Sequence, residues 1–233
     1  MDIYIALKCF IMLFRLRKFH VINELSLSTQ TFKPAQRGEF KIAIVDDEVF
    51  LYLEQLRRLG FNITTYKDVT DLNMLSSYDV IICDIKGVGK DFDSEFEGAF
   101  LLRELKKKYP YKGFAAYTGS AFDIRINTFL IDIQIIKKDI TIDEWCTAID
   151  SLIRNICEPK IVWNRIRKDL LDKDVSLLDL ERLEDEFVDR VLNHNCDFSN
   201  FPSPKTKKVI SAEALKLLSS IASNLLAKLL MTV

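Results

Sequence analysis

Four places in the 233-residue chain carry side chains that could do chemistry together: the paired acids Asp46 and Asp47, the single acid Asp84, the hydroxyl of Thr118 and the ammonium groups of Lys137 and Lys138. Each has a plain reading when taken alone. Asp84 can cap the turn that follows it, and Asp46-Asp47 beside Glu48 can cap a helix. Position sets them apart. Each stands where a short apolar run ends. In an open parallel sheet the carboxyl ends of the strands share one rim, with a crevice beyond it.

The elements that must hold these residues follow from pattern. Tyr78-Asp79-Val80-Ile81-Ile82-Cys83-Asp84 sets four apolar residues between carboxylates, as in a strand buried on both faces. Residues 41–45 form the first strand of this kind, 61–66 a second, 113–117 a fourth and 133–136 a fifth. Between them, 49–59 has helical spacing and stops at Gly60, and 68–77 is expected as a short second helix. Residues 98–109 carry a third helical pattern with a Lys-rich end before Pro110, and 143–157 a last one before Pro159. Strands alternating with helices predict an α/β fold, a doubly wound five-stranded parallel sheet.

Composition narrows the classes. Lys+Arg 33 against Asp+Glu 34 leaves the chain near neutral, without a bulk field for nucleic acid or an acidic membrane. Five scattered cysteines with no C-x-x-C pair predict reduced thiols in a cytoplasmic protein, not a disulfide frame or a zinc site. The last of the seven glycines is Gly119, so the tail beyond it is expected to be largely helical, with few tight turns.

In order, KIAIVDDE, YDVIICD, AAYTG and IIKKDITIDEW make roughly residues 40–157 resemble the receiver domains of two-component response regulators. The resemblance implies a flavodoxin-like receiver over 39–157, flanked by segments 1–38 and 158–233. It implies that Asp84 accepts a phosphoryl group from a histidine kinase, a phosphotransfer protein or a small phosphodonor. By the same resemblance Mg²⁺ is held by Asp47, helped by Asp46, with Asp84 and the backbone carbonyl of Lys86. Such an ion bridges the acids and the phosphoryl oxygens. Thr118 would hydrogen-bond one phosphoryl oxygen and Lys138 would pair with another. Such a domain catalyses only its own phosphorylation and dephosphorylation.

The chain departs from that family in three places. Asp139 stands where a proline usually follows the lysine. Counting back from Asp143-Glu144 favours Lys138, with Lys137 as the alternative. The connection 85–98 is longer than usual and could be a functional lid or a surface insertion. Ile135 occupies the place of the usual switching aromatic.

Residues 161–171, 177–194 and 209–231 are expected as tail helices, the middle one with Leu180, Leu183, Phe187 and Val191 on one face. From Cys157 onward 12 basic residues balance 12 acidic ones, which disfavours a DNA-binding output. The expected output is helical protein–protein interaction, as a homodimer or with a helical partner. An atypical DNA-binding output and a receiver that acts only as a binding module are the alternatives. At the other end, residues 3–14 are apolar, followed by Arg15, Arg17 and Lys18. They are too short to span a bilayer and predict a packed helix, with an in-plane membrane anchor as the alternative. Residues 28–39 are expected to be a polar linker.

Overall fold

The computed structural model describes residues 19–27, 32–92, 94–119, 124–193, 198, 200–208, 210–212, 214–215 and 218. Strands β1 (Lys41–Val45), β2 (Asn62–Tyr66), β3 (Val80–Asp84), β4 (Gly113–Thr118) and β5 (Gln134–Lys137) form one sheet. Its order is β2-β1-β3-β4-β5, and every pair is parallel. The register sets Val45 beside Cys83, Asp84 beside Tyr117 and Thr118 beside Lys137, so the strands end nearly level.

Strand side chains alternate between faces. Ile42, Ile44, Val80, Ile82, Ala115 and Tyr117 enter one core with Leu56, Trp145, Ile149, Leu152 and Ile153. Ala43, Val45, Ile81, Cys83, Phe114 and Ala116 enter the other with Ala99, Leu101, Leu102 and Leu105. Helices α1 (Leu53–Arg58) and α3 (Ile142–Cys157) cover the first face, and α2 (Glu97–Lys108) covers the second. The fold is therefore the expected α/β, doubly wound parallel sheet.

Three local expectations change. Residues 68–77 contain only a 3-10 turn, Leu72–Leu75, whose Asp71 cap accepts from the Asn73 amide. Asp, Asn, Thr and Ser in this stretch bond nearby backbone and compete with a longer helix. The first helix begins at Leu53, not at residue 49, and Val49 and Leu51 are exposed. The supposed linker is also pinned: Pro34–Glu39 is a 3-10 turn between buried Phe32 and Phe40. From it, Arg37 reaches the buried Asp150 of α3 with two hydrogen bonds of 2.9 and 2.6 Å. The Asp150 hydrogen bond raises the Arg37 guanidinium further above its ordinary range, against the opposing effect of burial.

A third core lies in the tail. Helices α4 (Pro159–Leu171) and α5 (Leu177–Asn193) bring Trp163 and Phe187 within 5.0 Å, and Leu180, Leu183, Phe187 and Val191 form the buried face of α5. Phe198 and Phe201 join them, followed by the single turn α6 (Pro204–Lys207). Ala214 and Leu218 are buried in the same core, as is Leu25 from the 3-10 turn Ile22–Leu27. Glu184 ties these pieces together, accepting from the Ile22 amide at 2.9 Å and from Trp163 Nε1 at 2.8 Å. The apolar run 3–14, the basic residues that follow it and most of the expected last helix lie outside the described residues. Among the described residues no helix is long and apolar enough to cross a membrane.

Candidate functional site

Each chemical residue stands on the rim because of the strand that delivers it. Asp46 follows β1, and its amide continues the ladder by donating to the Tyr66 carbonyl at 2.9 Å. Its side chain is buried, with Oδ1 accepting the Glu48 amide at 3.0 Å and Oδ2 accepting the Tyr117 hydroxyl. Asp47, next along the chain, is exposed. Asp84 closes β3 and is buried; its Oδ1 accepts the Ile85 amide at 2.7 Å and the Lys86 amide at 3.4 Å.

Across the rim, the Lys138 amide donates to the Thr118 carbonyl at 3.0 Å, extending the β4–β5 pairing by one residue. That step aims Lys138 inward. Its Nζ lies 2.5 Å from Asp84 Oδ2 and 4.0 Å from Asp46 Oδ1, while Lys137 is exposed. Burial alone would lower the Lys138 ammonium. The hydrogen bond to Asp84 and the charges of Asp84, Asp46 and Glu48 outweigh it and raise the group above its ordinary 10.5. Thr118 is buried and lines the pocket.

The crevice is an open pocket of about 360 Å³ lined by Asp47, Glu48, Asp84, Lys86, Gly87, Thr118, Gly119 and Lys138. One carboxylate oxygen from each of Asp46, Asp47 and Asp84 can be chosen so that all lie within 4.8 Å of one another. Three hard oxygen donors at that spacing suit a small divalent cation. The loop after β3 preserves the space. Gly87 has φ +80, and a Cβ there would overlap the Asp47 carboxylate. The Gly87 amide donates to Glu97 Oε2 at 2.7 Å and the Gly89 amide to Asp68 Oδ1 at 2.5 Å, so the first half of the long connection is tied down. Gly98 packs on the Asp84 carbonyl with no room for a side chain.

The fold thus brings Asp47, Asp84, Lys86, Thr118 and Lys138 of the sequence-predicted residues to one pocket, with Asp46 in the carboxylate cluster with Asp47 and Asp84. Sequence pattern missed Tyr117. Its phenol reads as ordinary strand hydrophobe, yet it bonds Asp46; burial first, then that bond and the surrounding acids, push its pKa far above the usual 10. The available signal was register: β4 sets Tyr117 beside Asp84, and an alternate residue of β4 must face the acids. Ile135, noted above as a departure from the resembled family, is 44% exposed on β5. A second cleft of about 410 Å³ lies by α4, where Arg165 donates to the carbonyls of Pro110 and Asn155. It is lined by neither Asp46, Asp47 nor Asp84.

No family model and no curated protein matches the chain. Among solved structures it is similar to the signal receiver domain of an HD domain-containing protein from Pseudomonas fluorescens Pf-5, at 21% identity and TM-score 0.40 over 48% of this chain and 93% of that one. It is similar to a response regulator receiver domain protein from Clostridium thermocellum, at 24% identity and TM-score 0.40, covering 57% of this chain and 98% of that chain. Full-length FixJ from B. japonicum aligns at 17% identity and TM-score 0.44, over 83% of this chain and 95% of that one. The order β2-β1-β3-β4-β5, read from the chain's own strands, is that of the flavodoxin-like doubly wound fold, which receiver domains share.

Proposed function

We propose that the chain is a response regulator of a two-component phosphorelay, with a receiver over residues 39–157 and Asp84 as its phosphoacceptor. The observation that carries the reading is the Lys138–Asp84 pair, 2.5 Å apart on a rim that also gathers Asp46 and Asp47. A carboxylate at a rigid strand end, facing a pocket and flanked by a fixed ammonium, is the arrangement that phosphoryl acceptance requires.

The Asp84 carboxylate attacks the phosphorus of a phosphohistidine on a histidine kinase or phosphotransfer protein. The P–N bond breaks, the imidazole leaves and an acyl phosphate forms. Lys138 pairs with the phosphoryl oxygens as charge builds on them, and Thr118 donates its hydroxyl to one of them. Asp46, Asp47, Asp84 and the backbone carbonyl of Lys86 would hold a Mg²⁺ ion, which would supply positive charge against the repulsion between carboxylate and phosphoryl group. The receiver performs only its own phosphorylation and dephosphorylation. Its output is helical protein–protein contact in the cytoplasm, through a homodimer or a helical partner, because the 12 basic and 12 acidic residues from Cys157 onward offer no net charge for DNA.

The test is labelling of the full chain by acetyl phosphate. The wild type is expected to incorporate phosphate only with Mg²⁺, and Asp84→Asn to incorporate none. Undiminished labelling of Asp84→Asn overturns the assignment. A discrete footprint on duplex DNA at physiological salt would replace the protein-interaction output with a transcriptional one.

A further inference from the structure

One buried polar group bonds directly to the carboxylate cluster but neither ligates nor pairs with a phosphoryl oxygen in this scheme. The Tyr117 hydroxyl is buried beneath the pocket and donates to Asp46 Oδ2. Asp46 Oδ1 is engaged separately by the Glu48 amide and lies 4.0 Å from Lys138 Nζ. Both carboxylate oxygens are therefore fixed, one from below by the phenol and one from the rim. The ring cannot easily drift: it meets Phe50 at 6.0 Å and Trp145 at 5.7 Å, both nearly edge-on, and Lys138 Nζ sits 5.0 Å over it.

We infer that Tyr117 is a positioning residue of the cation site. It holds Oδ2 of Asp46 and so fixes how the carboxylate is presented to the cluster formed with Asp47 and Asp84. The inference rests on the proposed reading of that cluster as a divalent-cation site. Hydrogen bonds to ligating carboxylates orient them, and their loss typically costs 10–100-fold in metal affinity. Without the phenol, Oδ2 loses the donor described for it, and the cation Asp46 can turn to is Lys138, 4.0 Å from Oδ1 and already paired with Asp84. That turn would also draw the ammonium away from Asp84.

A second consequence concerns reporting. Trp145 is buried with its Nε1 lacking a hydrogen-bond partner among the described residues, and it touches Phe50, Tyr52 and Tyr117. A change in the Tyr117–Asp46 bond on cation binding would reach this indole through the Tyr117–Trp145 contact. The pocket is thus linked to the start of α3 through aromatic packing, on the face opposite to that of the exposed Ile135.

The experiment is Mg²⁺ titration of the full chain, followed by tryptophan fluorescence and by calorimetry, in wild type, Tyr117→Phe, Asp46→Ala and the double variant. Phe keeps the ring and removes only the hydroxyl. Tyr117→Phe is expected to weaken Mg²⁺ at least tenfold at unchanged circular dichroism. In the Asp46→Ala background the same change is expected to do nothing further, which a merely structural role would not produce. Wild-type affinity in Tyr117→Phe, or an equal additional loss on top of Asp46→Ala, overturns the inference while leaving the cation site standing. A wild type with no saturable Mg²⁺ response overturns the cation site and the inference with it. Should Tyr117→Phe fail to fold, 3-fluorotyrosine in the otherwise native chain carries the test. The ¹⁹F resonance of Tyr117 must then move with the calorimetric affinity, and an indifferent resonance refutes the role.

Discussion

Gly87→Ala should weaken the proposed cation site while leaving the fold in place. Gly87 adopts φ +80, and an added Cβ would overlap all three carboxylate atoms of Asp47. Two costs follow. An L-residue in the left-handed region is less stable by roughly 1–2 kcal/mol. In a chain of this size that is a fall in Tm of about 2–8 °C. The steric cost is relieved differently: Asp47 is exposed, so its side chain can swing into solvent instead of forcing the backbone apart. The site then loses one of its three carboxylates, and Mg²⁺ binding is expected to weaken at least as much as in Asp47→Ala. Gly89→Ala is the matched control. Its φ is +73, so the strain is comparable, but its Cβ would meet the Glu97 carbonyl and Leu101 Cβ at 3.2 Å and nothing of Asp47. Calorimetric Mg²⁺ titration and thermal melts of the two variants separate the effects. Both should melt lower, and only Gly87→Ala should bind the cation more weakly. Wild-type Mg²⁺ affinity in Gly87→Ala, or equal loss in both, refutes the claim that the glycine guards the Asp47 position.

Three further outcomes are expected. Arg37→Ala strands Asp150, whose side chain is only 8% exposed, and breaking such a pair typically costs about 3–5 kcal/mol; urea denaturation should show it, and a paired Arg37→Met, Asp150→Leu chain should recover much of the loss. Because the Lys138 ammonium is raised above 10.5 in the fold, its stabilising contribution is complete below that pH and disappears as pH climbs through the folded value; Lys138→Met should therefore show a shallower loss of stability in alkaline melts than the wild type. Burial pushes the Cys157 thiol up to about 12, and the residue is inaccessible, so iodoacetamide at pH 8 should modify it only after unfolding, while partly exposed Cys146 reacts more readily.

The centre of the sheet was legible because β1, β3 and β4 are apolar on both faces and end at or next to polar residues, while β2 and β5, each with one buried residue, were legible from their place between helical segments. The acids and Thr118 were legible because they stand at or just past the ends of those strands, and Lys138, one residue beyond Lys137 at the end of β5, was singled out by its spacing from Asp143-Glu144. What pattern could not supply was contact across elements. Residues 28–39 look like a linker because Pro34, Gly38 and several polar side chains are all that a local window registers. The burial of Phe32 and Phe40 and the reach of Arg37 to Asp150, 113 positions on, belong to tertiary structure. Tyr117 is the same case in the site, since a phenol in a strand reads as hydrophobic until its neighbour's carboxylate is known. The short helix expected over 68–77 failed for a local reason, the self-capping of Asp71 onto Asn73.

The docking of the turn Ile22–Leu27 has a topological consequence. The His20 amide bonds Asp185 and the Ile22 amide bonds Glu184, closing contacts 165 and 162 positions long. Leu25 completes a core whose other members come from beyond residue 110. In chain order the α/β sheet is therefore an insertion within the helical unit, tethered to it at both of its own ends. A domain joined by one linker can pivot freely, whereas one held at two points can only strain or slide. On the ribosome the sheet has all its strands before α5 emerges, while the earliest-made turn must wait for its partners. The helical unit thus cannot close until α5 has been made, after all five strands.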